Sequence, residues 1–216
     1  MIVDKQTQSL EERVFLTLEE EILSGEMKRG EILTETALSS RLGVSRTPLR
    51  AALHRLCEEG LIEIAPNRSA VVVGIGEEEL FDIYKIRMRL EGLASAEAAK
   101  RISDEDKLKL RETVELSEFY IAKQDAENLK ELDSQFHNII YKASGNRLLY
   151  KTLSELHRNI KTYRKRSLSV SNRLEKSVSE HREILSAIER GDSEAADKLT
   201  YAHIEAAMNN LISVAK

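Results

Sequence analysis

Apolar residues recur at helical spacing through most of this chain, and the places where that period breaks mark its architecture. Over residues 11–24, Val14, Leu18, Ile22 and Leu23 form one face of an amphipathic helix, with Gly25 and Gly30 bracketing its end. The residues before it, 1–10, show no such period and read as a flexible arm. Ala37, Leu38 and Leu42 give a second, short helix an apolar stripe that stops at Gly43, a residue that turns without a Cβ. Ser45 stands at the next N-cap position, where its hydroxyl can accept from an orphan backbone N–H. Pro48 falls in that helix's first turn, where a missing donor costs little, and Leu49, Leu53 and Leu56 define its core-facing side. After Gly60 the period changes. Residues 61–65 and 70–73 are β-rich runs on either side of the turn-forming Pro66-Asn67-Arg68-Ser69, which predicts a hairpin.

The stretch Gly74-Ile75-Gly76 closes that hairpin and places a hinge at 75–76. Beyond it the pattern is helical throughout, in six segments over about 77–100, 104–123, 125–143, 147–167, 173–190 and 193–214. Ser103, Gly145-Asn146, residues 169–171 and Gly191-Asp192 separate them. Each segment carries an apolar stripe too wide to stay in water, so the six must pack as a bundle. The fold expected is mainly α: a winged helix-turn-helix over 11–74, followed by an all-α six-helix bundle over 77–216.

Charge sharpens the first half of that picture. The chain has a formal net charge of −4, which does not favour general binding to nucleic acid. From Arg41 to Cys57, however, it carries four arginines and no acidic residue. Guanidinium groups clustered at a helix start suit phosphates and guanine edges, so DNA contact is expected to be local, sequence-specific and salt-dependent. The single cysteine, Cys57, excludes an intramolecular disulfide, fits a reducing cytosol, and reads as packing. No leader and no apolar run of membrane-spanning length is present, so a cytoplasmic protein with no membrane partner is expected.

The helical half carries a second kind of chemistry. Asp133 and His137 lie four residues apart and share a helix face, His181 falls in the fifth segment, and His203 in the sixth. One carboxylate and three imidazoles from three helices can converge in a bundle and suit Zn²⁺, Ni²⁺ or Mn²⁺. The same residues also fit core hydrogen bonding, or an exposed helix pair in the case of Asp133 and His137. His54 and His157 fall outside this set. The basic run Arg158, Lys161, Arg164, Lys165 and Arg166 reads as a solvated helix face.

The segment GVSRTPLRAALHRLCEEGLI followed by PNRSAVVV resembles the DNA-binding domain of the GntR superfamily of bacterial transcription regulators, over about 16–73. The resemblance implies that Ser45, Arg46, Thr47 and Arg50 contact an operator, with Arg46 and Arg50 reading bases. It places the wing tip, Asn67, Arg68 and Ser69, at the adjacent minor groove or backbone. Ser69 replaces a usual wing glycine, Ala51 a usual glutamate, and Thr36 an arginine that some members carry. The helical half resembles the FCD domain of the FadR-type subfamily over about 80–211. Its marks are Arg87-Met88-Arg89-Leu90-Glu91, the pair Asp133 and His137, and the later His181 and His203. That resemblance fills all four positions of a divalent metal site, zinc first, with nickel or manganese as alternatives. It implies a small organic acid as effector, with Arg87 set against the ligand's charge; a salt bridge from Arg87 to a bundle glutamate is the competing role. A homodimer on a pseudo-palindromic operator follows, because one recognition helix reads too few base pairs for genomic specificity. Two other functions fit the residues. One is a metal-dependent hydrolase or lyase tethered to DNA, although no motif places a general base beside the ligands: Glu180 and Glu183 flank His181 but are as easily solvent-facing. The other is a regulator whose metal is structural or is itself the signal.

Overall fold

The computed structural model describes residues 9–65, 69–160 and 173–214. Contacts divide the chain into two compact units, Met1–Glu77 and Glu78–Lys216.

In the first unit, α1 (Leu10–Leu23) starts where Ser9 accepts a hydrogen bond from the Glu12 N–H, one residue inside the expected arm. Val14, Phe15, Leu18, Ile22 and Leu23 are its buried face. Full burial of side chains of this size stabilises by about 1.5–3 kcal/mol each, so this face anchors the unit. A strand the hydrophobic pattern does not predict, β1 (Ile32–Leu33), follows, because two residues are too few to show a period. Thr34 then caps α2 (Glu35–Leu42), and Gly43 ends it at φ 65°, in the left-handed region. Of the predicted stripe on this helix, Leu38 is buried, Leu42 is half-buried and Ala37 is exposed. Helix α3 (Arg46–Glu58) buries Leu49, Ala52, Leu53 and Leu56. Ser45 holds its N-cap backbone geometry, but its hydroxyl makes no cap hydrogen bond, contrary to expectation. Strands β2 (Ile62–Ile64) and β3 (Ala70–Val72) complete an antiparallel sheet of order β1-β3-β2, with Ile62 opposite Val72 and Leu33 opposite Ala70. Both are shorter than the runs that predicted them. The hairpin closes through the Ala65 N–H, which donates to the Ser69 carbonyl at 2.8 Å.

The second unit is helical among the described residues: α4 (Glu77–Arg101), α5 (Asp104–Lys123), α6 (Ala126–Ala143), α7 (Arg147–Asn159), α8 (Arg173–Glu189) and α9 (Ser193–Val214). Ser103, Asp125 and Asn146 cap α5, α6 and α7 with side-chain oxygens. Each such cap is worth roughly 1 kcal/mol and fixes where its helix enters the bundle. The predicted fourth segment, 147–167, is helical to Asn159 and leaves the helix at Ile160; its remainder lies outside the described residues. The core runs through Ala94, Ala98, Leu110, Val114, Phe136, Ile140, Leu153, Ile184 and Ile188. Small residues bring α4 close to α9. A Cβ at Gly92 would fall 2.1 Å from Asp197 Oδ1 and 3.2 Å from its carbonyl oxygen. No helix among the described residues is long and apolar enough to cross a membrane.

Candidate functional site

Helix α6 carries Asp133 and His137 on one face, one turn apart, and packs them toward α8 and α9. All four donors are buried: Asp133 is 7 % exposed, His137 2 %, His181 2 % and His203 4 %. His203 Nε2 lies 3.3 Å from His137 Nε2 and 3.3 Å from His181 Nε2. Asp133 Oδ1 is 3.6 Å from His181 Nε2 and 4.0 Å from His137 Nε2, and it accepts from Ser177 Oγ at 3.5 Å. The four ligand atoms all lie within 4.8 Å of one another.

This arrangement fits a divalent cation on two grounds. Metal–nitrogen bonds of about 2.0–2.1 Å in tetrahedral geometry put neighbouring donors about 3.3–3.4 Å apart, which matches the two imidazole separations. The second ground is the direction of the lone pairs. His137 Nδ1 lies 2.8 Å from Glu91 Oε2, and His203 Nδ1 lies 2.6 Å from Glu180 Oε2. A carboxylate at Nδ1 favours the tautomer that carries its proton there, which leaves the Nε2 of such a ring free to act as a ligand toward the cluster. Burial, reinforced by the neighbouring imidazoles, holds His181 and His203 well below the ordinary imidazole range and therefore neutral.

Carboxylates and arginines surround this cluster. Arg87 pairs with Glu91 at 2.6 Å, and both are 1 % exposed. Burial works to raise the Glu91 carboxyl, but Arg87 and then His137 outweigh it and hold the group well below the usual carboxylate range. Arg87 therefore forms the salt bridge weighed against a ligand role, yet its buried Nη1 makes no hydrogen bond among the described residues. Its guanidinium also lies 4.9 Å from the Tyr84 ring centre. His181 stacks on Phe136, with ring centres 3.9 Å apart. His157 falls outside the four-residue cluster but lies beside it. Its ring centre lies 5.7 Å from that of His137, and its Nδ1 is 3.3 Å from the Tyr141 hydroxyl. His157 and Tyr141 line a cavity of about 260 Å³ with Ser134, Asn138 and Ser154. Glu180, which flanks His181 in sequence, touches His203 and pairs with Arg173 at 2.8 Å. Nothing local in the sequence signals their contacts with the cluster, since His157 lies 20 positions from His137 and Glu180 lies 23 from His203, each on a different helix.

On the first unit, Ser45, Arg46, Thr47 and Arg50 are exposed at the start of α3. The arginine cluster is less free than its sequence suggests. Arg41 pairs with Glu21, Arg50 with Glu35, and Arg55 with Glu12 while lying 3.7 Å over the Phe15 ring. Of the four, Arg46 is the one without an ion pair among the described residues. Ser69 is half-buried beside the hairpin turn, and Asn67 and Arg68 lie outside the described residues.

A three-helix unit with a β-hairpin, followed by a helical unit that holds a buried Asp/His₃ cluster, fits a DNA-binding regulator. Residues 10–72 match the bacterial regulatory proteins of the gntR family, and residues 82–206 match the FCD domain. The chain is 26 % identical over 199 residues to the HTH-type transcriptional repressor RspR of Escherichia coli (strain K12), covering 92 % of this chain and 87 % of that one. It is 30 % identical over 188 residues to the HTH-type transcriptional regulator YdhC of Bacillus subtilis (strain 168), covering 86 % and 84 %. Among solved structures, E. coli McbR/YncC aligns with a TM-score of 0.78 and 24 % identity over 97 % of this chain and all of that one, a likeness of fold. The chain therefore belongs to the GntR family of transcriptional regulators and carries an FCD domain. Its relatives are regulators and not enzymes, which removes the hydrolase alternative.

Proposed function

We propose that this regulator is a cytoplasmic homodimer that represses transcription from a pseudo-palindromic operator and answers to a small organic acid bound at a divalent metal. The observation that carries the effector half is the convergence of three Nε2 atoms and Asp133 Oδ1 in one buried cluster. Asp133, His137, His181 and His203 would hold the metal, zinc first, with nickel or manganese as alternatives. The bound ion would supply a Lewis-acidic position for a carboxylate oxygen.

The remaining work falls to the chain's own groups. Arg87 Nη1, buried and without a hydrogen bond among the described residues, is the donor available to an incoming acid. The cavity beside His157, Tyr141 and Ser154 gives the body of the acid a polar wall. At the DNA, Arg46 and Arg50 would read base edges while Ser45 and Thr47 hold phosphates, and the wing tip Asn67, Arg68 and Ser69 would reach the neighbouring groove. A dimer doubles the site read, which sets the palindrome. The acid changes operator affinity to the extent that it binds one arrangement of the helical units better than the other.

Elemental analysis of the purified protein beside a His181→Ala, His203→Ala double variant tests the centre. Near-stoichiometric metal in the parent and its loss in the variant is the expected result. Failure of the parent to take up zinc, nickel or manganese would leave the four residues as core hydrogen-bonding groups. Operator binding with and without a panel of hydroxy acids and dicarboxylates then tests the switch, and an affinity that no saturating acid changes would sink it.

A further inference from the structure

Two of the three clustered imidazoles have a carboxylate behind Nδ1, supplied by helices that share no sequence motif. Behind His137 stands Glu91 on α4, at 2.8 Å from Nδ1, and Arg87 one turn earlier pairs with that carboxylate. Behind His203 stands Glu180 on α8, at 2.6 Å from Nδ1. Arg173 Nη1 reaches both Glu180 oxygens, at 2.8 and 2.9 Å, and its Nη2 donates to the His203 carbonyl at 3.4 Å. Each chain runs arginine, carboxylate, imidazole, and ends with an Nε2 in the cluster. The third imidazole, His181, stacks on Phe136 and has no carboxylate at its Nδ1 among the described residues.

We propose that Glu180, clamped by Arg173, is a positioning residue of the metal centre that fixes the tautomer and ring orientation of His203 for coordination through Nε2. This rests on the metal reading above. A carboxylate on Nδ1–H keeps the Nε2 lone pair free, stops the ring from flipping, and makes the imidazole a stronger donor. The arginine holds the carboxylate in place in turn. Paired on both oxygens, Glu180 is kept from swinging into the coordination shell as a ligand itself. Arg173 also ties the backbone of His203, so one guanidinium sets both the carboxylate and the helix position of the ring it orients. Glu91, held by Arg87 through Oε1 alone, stands behind His137. That pair is fully buried, so its removal tests folding before it tests coordination. Glu180 keeps 29 % of its side chain exposed, which makes it the informative position.

The test uses full-length protein stripped of metal and titrated with Zn²⁺ against a chromophoric chelator, with Co²⁺ loaded in parallel for its visible spectrum. Glu180→Ala is expected to weaken Zn²⁺ binding by about 10–100-fold, and Glu180→Gln by less, because the amide still accepts from Nδ1–H. The Co²⁺ spectrum should shift in the alanine variant and recover toward the parent in the glutamine variant. The neutral pair Arg173→Gln with Glu180→Gln leaves no buried charge unpaired and should still bind Zn²⁺ more weakly than the parent. Unchanged Zn²⁺ affinity and an unchanged Co²⁺ spectrum in all three would mean that Glu180 merely joins α8 to α9, and would overturn the proposal. A parent that takes up neither ion overturns the metal reading itself, and this inference with it.

Discussion

Arg41–Glu21 in the N-terminal unit and Arg87–Glu91 in the helical unit are both arginine–carboxylate pairs at 2.6 Å. Their surroundings give them different tasks. The Arg41 side chain is 44 % exposed and that of Arg87 1 %. In water such a pair is worth about 0–1 kcal/mol, because solvent and salt screen it and two long side chains must be ordered to make it. Although Glu21 is only 15 % exposed and Glu35 17 %, the arginines face water, so Arg41 would trade Glu21 for a phosphate at modest cost, and Arg50 would trade Glu35 in the same way. In the bundle neither partner of Arg87–Glu91 can leave without stranding a charge in a low-dielectric core. The difference shows that the count of ion pairs says little about function here. Exposure decides whether a pair is an exchangeable reserve for a polyanion or a fixed part of a site.

The sharpest way to break that comparison is to remove one carboxylate from each unit and measure metal-free stability by urea denaturation. Glu91→Ala leaves Arg87 buried without a counter-charge and is expected to cost about 3–5 kcal/mol, whereas Glu21→Ala should cost about 0–1 kcal/mol. A companion double variant, Arg87→Met with Glu91→Leu, should recover most of the loss, since an apolar pair of similar volume needs no compensation. Equal costs in the two units would refute the distinction.

Arg46 supplies the next test, on binding instead of stability. It is exposed at the start of α3 and has no ion pair among the described residues, so nothing must be given up when it meets DNA. Arg46→Ala is expected to weaken operator binding by about 1–3 kcal/mol and relax preference at one base position, with the melting temperature unchanged. Fluorescence anisotropy with the operator and with single-base variants measures both. A uniform loss over all sequences would place Arg46 on phosphates instead.

How far the chain can be read before its structure is known follows the same division. Helix starts, the Gly43 turn and the hairpin are written in neighbouring residues, so Ser103 and Asn146 cap helices where local pattern expects breaks, though Ser45 does not. The pair Asp133 and His137 is legible for the same reason: four residues is one turn. Partners far along the chain are not. Arg41 and Glu21 are 20 residues apart, and Arg55 and Glu12 are 43 apart, so four arginines without local acids looked like free charge. Glu180 and His203 sit on different helices, and which Glu faces inward depends on helix rotation that apolar periodicity fixes loosely. The strand β1 escapes for another reason, since two residues have no period and the strand exists because β3 offers an edge.

The smallest effect comes from Glu35, and it sharpens the comparison from the reader's side. Glu35 Oε1 accepts from Arg50 Nε at 2.8 Å, and the arginine remains 49 % exposed. Removing Glu35 has consequences on both sides. Arg50 no longer has to leave a carboxylate to bind DNA, which favours binding, and the unit loses a negative charge beside the phosphates, which favours it again. Against this, Arg50 loses the contact that orders its side chain before DNA arrives. Exposed pairs of this kind order weakly, on the order of 0.5 kcal/mol, so the electrostatic gain should win. Glu35→Ala is thus expected to change stability by less than about 1 kcal/mol and to tighten operator binding a few-fold at low salt, with the gain fading as salt rises. A loss of affinity that persists at high salt would instead show that Glu35 aims Arg50, and this surface pair would then belong with the fixed pairs of the bundle.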